Sequence, residues 1–217
     1  MPTPSLGGAR TTGSGRFVAI EGGEASGKST QAGILAERLG AVLTREPGGT
    51  AIGARIRDLV LDRGAAGLTD RAEALLMAAD RAQHVAELVG PALASGRDVV
   101  TDRFLGSSLA YQGFGRGLPV EEVRRLSLWA TAGLEPDVVV LLDVAESVAA
   151  NRMAVDRDRV EAAGPAFHRA VADGYRALAA ATPERWVVVD GSGAVEVVAA
   201  AVHAAVHDRL AGRGAEP

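Results

Sequence analysis

The most constraining feature of this chain is the segment 17–31, FVAIEGGEASGKSTQ. A short apolar run rich in β-forming residues gives way to glycine and serine, and a helix-forming pattern begins at about Lys28. The spacing Gly22-x-x-x-x-Gly27-Lys28-Ser29 is that of a phosphate-binding loop. Its glycines let consecutive backbone N–H groups and the positive end of the helix point at phosphate oxygens. The segment therefore predicts a strand, loop and helix that bind a nucleotide.

Within this loop, Lys28 is expected to reach the outer phosphates of ATP and Ser29 to offer its hydroxyl to Mg²⁺. Lys28 is the only lysine in the chain, so the other 22 of the 23 basic residues are arginines. A compact ammonium can follow a phosphoryl group where a planar guanidinium does not fit. The residues predicted to contact ATP are Gly22, Gly23, Glu24, Ala25, Ser26, Gly27, Lys28, Ser29 and Thr30.

Composition narrows the class of protein. Hydrophobic residues make up 47% of the 217 residues and aromatic residues only 4%, which favours an Ala, Val and Leu core of helices packed on a parallel sheet. The net charge of −4 argues against nucleic acid or an anionic membrane as a partner and indicates a small ligand. The absence of cysteine excludes disulfides and thiolate chemistry. With no signal-peptide or membrane-spanning pattern, we expect a cytoplasmic protein.

Five strand patterns alternate with helical ones, at 17–20, 41–44, 98–101, 138–144 and 186–189. They predict one α/β domain of the P-loop NTPase type, in which helices flank a doubly wound five-stranded parallel sheet. We assign this domain to residues 17–211, between a disordered tail at 1–16 and a flexible one at 212–217. A long helix is expected over 69–94, with a bend near Gly90-Pro91. Residues 107–117 are expected to begin as a helix and end as a glycine-rich loop.

Charged residues stand at two further places. Asp102 and Arg103 follow the strand at 98–101, and ligands bind at the carboxyl edge of such sheets. Residues 151–161 are dense in arginine and carboxylate, a pattern that alone usually marks a solvated surface. Beside a phosphate-binding loop it indicates a mobile lid that carries arginines.

Four segments in this order resemble the thymidylate kinases, within the nucleoside monophosphate kinases. They are the phosphate loop, TREPGGT at 44–50, DRF at 102–104, and YQG at 111–113 followed by GRG at 115–117. The resemblance runs from residue 17 to about residue 190. It implies phosphoryl transfer from MgATP to dTMP, giving dTDP and ADP, by a chain that tends to form homodimers.

The resemblance also implies roles for individual residues. Arg45 and Arg103 would hold the acceptor phosphate, Arg81 would hydrogen-bond the pyrimidine, and Tyr111 would exclude a 2′-hydroxyl. Asp102 would support Mg²⁺ through water. The acceptor site implied in this way consists of Glu24, Arg45, Met77, Arg81, Arg103, Ser108, Tyr111 and Gln112.

The catalytic guanidinium is expected to come from the lid. Some members of the family carry an arginine at the position of Ala25, and others supply it from the lid. Ala25 therefore implies that Arg152, Arg157 or Arg159 acts on the transferred phosphoryl group, beside Lys28.

Met77 departs from the family, where an aromatic residue usually stacks on thymine, so a modified pyrimidine monophosphate is an alternative acceptor. The same departure at Met77 leaves a second alternative, a kinase for a small non-nucleotide metabolite. A regulatory P-loop ATPase is a further alternative, which a requirement for an acceptor would exclude. A guanine-reading Asn-Lys-x-Asp motif cannot occur, because the one lysine lies in the phosphate loop.

Overall fold

In the computed structural model, residues 14–65, 67–152 and 158–213 are described. Five strands form one parallel sheet in the order β2-β3-β1-β4-β5, which confirms the predicted fold class. Each strand lies within one residue of its predicted bounds. The strands are β1 (Phe17–Glu21), β2 (Val42–Arg45), β3 (Val99–Asp102), β4 (Val138–Asp143) and β5 (Trp186–Asp190).

Helices connect the strands and cover both faces of the sheet. They are α1 (Lys28–Leu39), α2 (Ala51–Leu61), α3 (Asp70–His84), α4 (Gly90–Ala94), α5 (Leu105–Ser108), α6 (Val120–Ala130), α7 (Glu146–Arg152), α8 (Pro165–Ala181) and α9 (Val195–Arg213). Two π-helical turns, Val85–Val89 and Leu109–Gly115, and one 3₁₀ turn, Glu161–Ala163, complete these elements.

Alternation along the strands divides the core into two layers. Phe17 and Ala19 of β1 face the layer formed with α8 and the π-helical turns. Val18 and Ile20 face the layer formed with α1 and α9. Both faces of β1 are thus buried, as expected for a central strand of a parallel sheet. This burial fixes the start of the phosphate loop.

The ends of the first two helices follow local sequence signals. Gly27 and Gly40 flank α1 with φ angles of 88° and 62°, which favour glycine. The Thr50 Oγ1 accepts a hydrogen bond from the Gly53 N–H at 2.9 Å and caps α2, as its position predicts. These ends place the first residues of α1 and α2 at the carboxyl edge of the sheet.

Two predicted segments differ from the structure. The pattern at 69–94 is divided by the π-helical turn Val85–Val89, upstream of the expected bend. The predicted glycine-rich loop within 107–117 is wrong, because the π-helical turn Leu109–Gly115 continues α5 there. A Cβ added at Gly115 would lie 2.6 Å from the Phe167 ring, and one at Gly113 would lie 3.2 Å from Val120. Gly113 and Gly115 therefore allow close packing within this helical turn.

The predicted tails are shorter where the structure describes them. The Gly15 N–H donates to the Leu93 carbonyl at 2.9 Å, and the Arg16 backbone N–H donates to Asp98 at 2.7 Å. Residues 14–16 therefore precede β1 in fixed positions, which corrects the predicted boundary at 16. Residues 212–213 belong to α9, while 1–13 and 214–217 lie outside the described residues. No described helix is long and apolar enough to span a membrane.

We predict that Leu142→Ala lowers the free energy of unfolding by about 2–5 kcal/mol, because Leu142 is 1% exposed in the layer between β4 and α9. Leu43→Ala is the matched control, since this strand leucine is 52% exposed. We expect it to change stability by less than about 0.5 kcal/mol. Urea unfolding measures both, and equal losses would contradict the assignment of the core.

Candidate active site

The phosphate loop forms a compact turn between β1 and α1. Lys28 is nearly buried, and its Nζ donates to the Gly23 carbonyl at 2.5 Å and to the Ser26 Oγ at 3.3 Å. Gly22 has a φ of 148°, and a Cβ there would lie 2.7 Å from the Leu142 carbonyl oxygen. Only glycine fits so close to the neighbouring strand. The phosphate loop is thus folded around the Lys28 ammonium.

Burial lowers the pKa of Lys28 to about 8, and repulsion from Arg103 acts in the same direction. Attraction to Glu24 and Asp102 opposes the shift. A phosphate group brought against this ammonium would favour its charged form and raise its pKa again. The loop therefore holds a cation whose charge an anionic ligand stabilises.

Arg103 connects the phosphate loop to the other half of the site. Its Nη1 donates to the Gly22 carbonyl at 3.0 Å, and its Nη2 donates to Glu24 at 2.7 Å and to the Tyr111 hydroxyl at 3.1 Å. Its backbone has a φ of 71°, the left-handed conformation that side-chain-bearing residues rarely adopt. Such local strain is typical of functional positions.

Glu24 balances the cations around it. Burial opposes its ionisation, but attraction to Arg103 and Lys28 and a hydrogen bond from Tyr111 outweigh this and lower its pKa to about 2. The Tyr111 hydroxyl donates to the same carboxylate at 2.5 Å. Glu24 is therefore an anion at neutral pH, and it fixes both the guanidinium and the phenol.

Glu21, at the end of β1, holds the segment that carries Arg103. It is fully buried and accepts hydrogen bonds from the backbone N–H groups of Phe104 and Ser107, both at 3.0 Å. The Ser107 and Tyr175 hydroxyls donate to its other oxygen at 2.6 and 3.1 Å. This role of Glu21 cannot be predicted from the sequence, because nothing in the order of residues indicates that residue 21 contacts residues 104–107.

Ser29 and Asp102, the two residues predicted to hold Mg²⁺, lie in contact with each other. The Ser29 Oγ donates to the Asp102 Oδ2 at 2.5 Å, and Oδ1 is buried without a hydrogen-bond partner among the described residues. A hydroxyl beside a carboxylate oxygen with free acceptor capacity suits Mg²⁺, which proteins hold through one or two carboxylates together with phosphate oxygens. The residues present therefore fit this ion.

A cavity of about 130 Å³ lies beside Glu24 and Arg103. Five residues predicted for the acceptor site line it: Glu24, Met77, Arg103, Tyr111 and Gln112. Residues that the sequence analysis did not identify complete the wall: Pro47, Arg57, Val60, Leu61, Ser107, Asp158, Val160 and Glu161. The loop after β2, α2, α3 and the segment after β3 thus converge on one small space.

Arg57 is the most informative addition. It lies on α2, and its Nη1 donates to the Pro47 carbonyl at 3.1 Å. Burial lowers the pKa of Arg57, and repulsion from Arg45 and Arg103 lowers it further. Arg45 is exposed at the end of β2, outside the cavity wall. Three guanidiniums close enough to repel one another form a site for an anion.

A larger cavity, of about 370 Å³, lies between the phosphate loop, β4 and α8. It is lined by Glu24, Val144, His168 and Tyr175, among others. Of the predicted acceptor residues, it includes only Glu24. The smaller cavity is therefore the candidate acceptor site.

Arg81 does not line either cavity, and the prediction that it hydrogen-bonds the pyrimidine is not supported. Its side chain is fully buried and donates to Glu46 at 2.8 Å, to the Ser127 hydroxyl at 3.0 Å and to the Phe104 carbonyl at 3.1 Å. Ser108, also predicted to line the base pocket, accepts from Arg81 at 3.1 Å and lies behind the wall. A buried carboxylate thus draws the guanidinium inward.

The structure separates the predicted catalytic arginines of the lid. Arg152 donates to the carbonyls of Gly191 and Ser192, at 3.0 and 3.1 Å, in the turn after β5. Arg159 donates to Glu73 at 2.5 Å, at the acceptor side. Arg157 lies outside the described residues. These hydrogen bonds direct neither Arg152 nor Arg159 to the phosphate loop, so the catalytic role stays a prediction.

We predict that Arg81→Met lowers the free energy of unfolding by about 3–5 kcal/mol, because it leaves the buried Glu46 carboxylate without its cation. Arg71→Met on the exposed side of α3 is the control and should cost less than about 0.5 kcal/mol. Urea unfolding measures both variants. Normal stability with weakened acceptor binding would instead restore the original assignment of Arg81.

The chain is similar to known thymidylate kinases over most of its length. The family model for thymidylate kinase matches residues 20–202. The thymidylate kinase of Leifsonia xyli subsp. xyli is 50% identical over 204 residues, covering 90% of this chain and 96% of that protein. The thymidylate kinase of Synechococcus sp. (strain JA-3-3Ab) is 48% identical over 199 residues, covering 89% and 96%. The chain belongs to the thymidylate kinase family.

Proposed function

We propose that the chain transfers the γ-phosphoryl group of MgATP to the phosphate of dTMP, giving dTDP and ADP. The observation that carries this proposal is the contact of Arg103 with both the phosphate loop and the acceptor cavity. A donor phosphate at Lys28 and an acceptor phosphate at Arg103 would face each other across Glu24. This is the arrangement that transfer between two nucleotides requires.

Catalysis in this site is positioning and charge stabilisation. The acceptor phosphate oxygen is already a nucleophile, so no general base is needed. Lys28 would stabilise the outer phosphates while Arg57 and Arg103 hold the acceptor, with Arg45 at the rim. When bound by Ser29 and Asp102, Mg²⁺ supplies charge neutralisation on the transferred group.

The sugar and base would occupy the rest of the cavity. The Tyr111 hydroxyl is held by Glu24, so the ring would form a fixed wall against a 2′-hydroxyl. Gln112 offers a buried amide oxygen, Oε1, that has no partner within the described parts of the chain. This oxygen would accept a hydrogen bond from N3–H of thymine. Met77 would contact the ring through its thioether.

We further propose that one of Arg152, Arg157 and Arg159 supplies the catalytic guanidinium on lid closure. Residues 14–213 would form the catalytic domain, and two chains would form a homodimer. Leu75 on α3 and Trp129 on α6 support the dimer, because both are largely exposed apolar side chains.

The experiment that tests the activity incubates the protein with MgATP and a panel of nucleoside monophosphates, and separates diphosphate products by chromatography. We expect dTDP as the main product and little ATP consumption without an acceptor. The panel includes 5-substituted pyrimidines, because Met77 is flexible. ATP hydrolysis that ignores every acceptor would support a regulatory ATPase instead.

We predict that Arg57→Ala raises the KM for dTMP roughly 10- to 150-fold, the loss expected for one charge-assisted contact to phosphate. The KM for MgATP should change by less than about threefold. Arg55→Ala is the matched control, because Arg55 lies two residues earlier on α2 and is exposed outside the cavity wall. Steady-state kinetics of both variants decide the point, and identical effects would remove Arg57 from the site.

A further inference from the structure

A buried carboxylate lies against Gln112, one of the residues that line the candidate acceptor cavity. Glu73, in the first turn of α3, is 1% exposed. One of its oxygens, Oε1, accepts from the Gln112 Nε2 at 2.9 Å and from the Arg116 Nε at 3.3 Å. The other, Oε2, accepts from Arg116 at 3.0 Å and from Arg159 at 2.5 Å. Neither the sequence motifs nor the proposed chemistry uses this residue.

The Glu73 carboxylate is ionised. Burial acts to raise its pKa, but hydrogen bonds from Arg116, Gln112 and Arg159 outweigh burial and hold the pKa below its ordinary value. An ionised carboxylate only accepts hydrogen bonds. The atom of the Gln112 amide that faces Glu73 must therefore be the nitrogen.

This constraint leaves the oxygen of the Gln112 amide, and not its nitrogen, available to a further partner. An amide is nearly symmetric in shape, so packing alone does not distinguish its oxygen from its nitrogen. With Nε2 bound to Glu73, Oε1 remains as the free acceptor, and it is buried with no partner in the described ranges. A buried acceptor without a partner favours a ligand that brings a donor.

We propose that Glu73 is a specificity-positioning residue, which fixes the Gln112 amide so that only an acceptor oxygen faces the base. This inference rests on the proposed function, because it assumes a pyrimidine in the cavity. Thymine and uracil present N3–H, a donor that matches this oxygen. Cytosine presents an unprotonated N3, which would place two acceptors against each other. Glu73 would therefore select against cytosine without touching the substrate.

The surrounding arginines make this arrangement rigid. Arg116 binds Glu73 through two nitrogens and lies 4.5 Å from the Phe167 ring centre. Arg159 also donates to the Val60 carbonyl at 2.8 Å. The two arginines that hold the carboxylate are thus themselves held by α2 and α8, which keeps its Oε1 at the Gln112 amide.

The test replaces Glu73 by Gln and compares kcat/KM for dTMP with that for 5-methyl-dCMP, which differs from dTMP only at N3 and C4 of the ring. In Glu73→Gln, an amide oxygen in place of Oε2 keeps the contacts of the Arg116 Nη2 and of Arg159. The amide nitrogen then lies against Gln112 in place of Oε1, with loss of the longer contact to the Arg116 Nε at 3.3 Å. Gln112 would then turn its own nitrogen into the cavity. We expect the preference for dTMP to fall about tenfold or more.

Asp70→Asn is the matched control. Asp70 lies 3.6 Å from the Arg116 Nε, is half exposed and belongs to the same turn of α3. This variant removes a carboxylate from Arg116 and leaves the contact between Glu73 and Gln112 unchanged. We expect its preference for dTMP to match that of the parent. A purely structural role of Glu73 would lower both kcat/KM values together and leave their ratio unchanged, which would overturn the proposal.

A swapped variant, Glu73→Gln with Gln112→Glu, keeps the proposal testable if the single variant does not fold. It retains one carboxylate and one amide between the same arginines, and the carboxylate now offers an acceptor oxygen to the cavity. We expect the preference for dTMP to return, and a swapped variant without that preference would refute the proposal. Failure of the parent to phosphorylate dTMP would refute the proposed function instead.

Discussion

The contact between Arg103 and Glu24 is the interaction on which the rest of the site depends. Two nucleotides that meet at their phosphates need cations from both sides, and cations brought together out of water repel one another strongly. Glu24 lies within the phosphate loop and pairs with an arginine from the end of β3 at 2.7 Å. One carboxylate therefore allows Lys28 and Arg103 to share a small space before any phosphate arrives.

Buried pairs of a carboxylate with guanidinium groups also occur at two places behind the site. Glu46 pairs with Arg81, and Glu73 pairs with Arg116 and Arg159, in each case across different elements of the fold. Such buried pairs are weak sources of net stability but costly to break from one side. In a core with few aromatic rings, they orient helices that Ala, Val and Leu alone would hold less specifically.

These pairs also mark the limit of what the sequence could predict. Strands and the phosphate loop depend on local patterns, and the structure confirms them, including Lys28 at the start of α1. The direction of Arg81 depends on Glu46, which is 35 residues away, and its inward orientation could not be read from spacing. The place of Arg57 in the cavity wall could not be predicted either, because the charged face of a helix such as α2 normally faces solvent. The sequence pattern at Gly113 and Gly115 predicts a loop, whereas both glycines allow close packing within a helical turn.

Met77 and Gln112 divide the recognition of the base between two kinds of contact. Gln112 is held at 2.9 Å by a buried carboxylate, so the edge of the ring would meet a fixed acceptor. Met77 lies on the wall of the same cavity, but its unbranched thioether adapts to a ring more readily than a flat aromatic side chain does. A fixed polar edge and an adaptable apolar face select for different properties of a ligand. Strict discrimination at N3 can therefore coexist with tolerance for substituents elsewhere on the pyrimidine, and the departure from the family pattern at Met77 does not by itself require a different substrate.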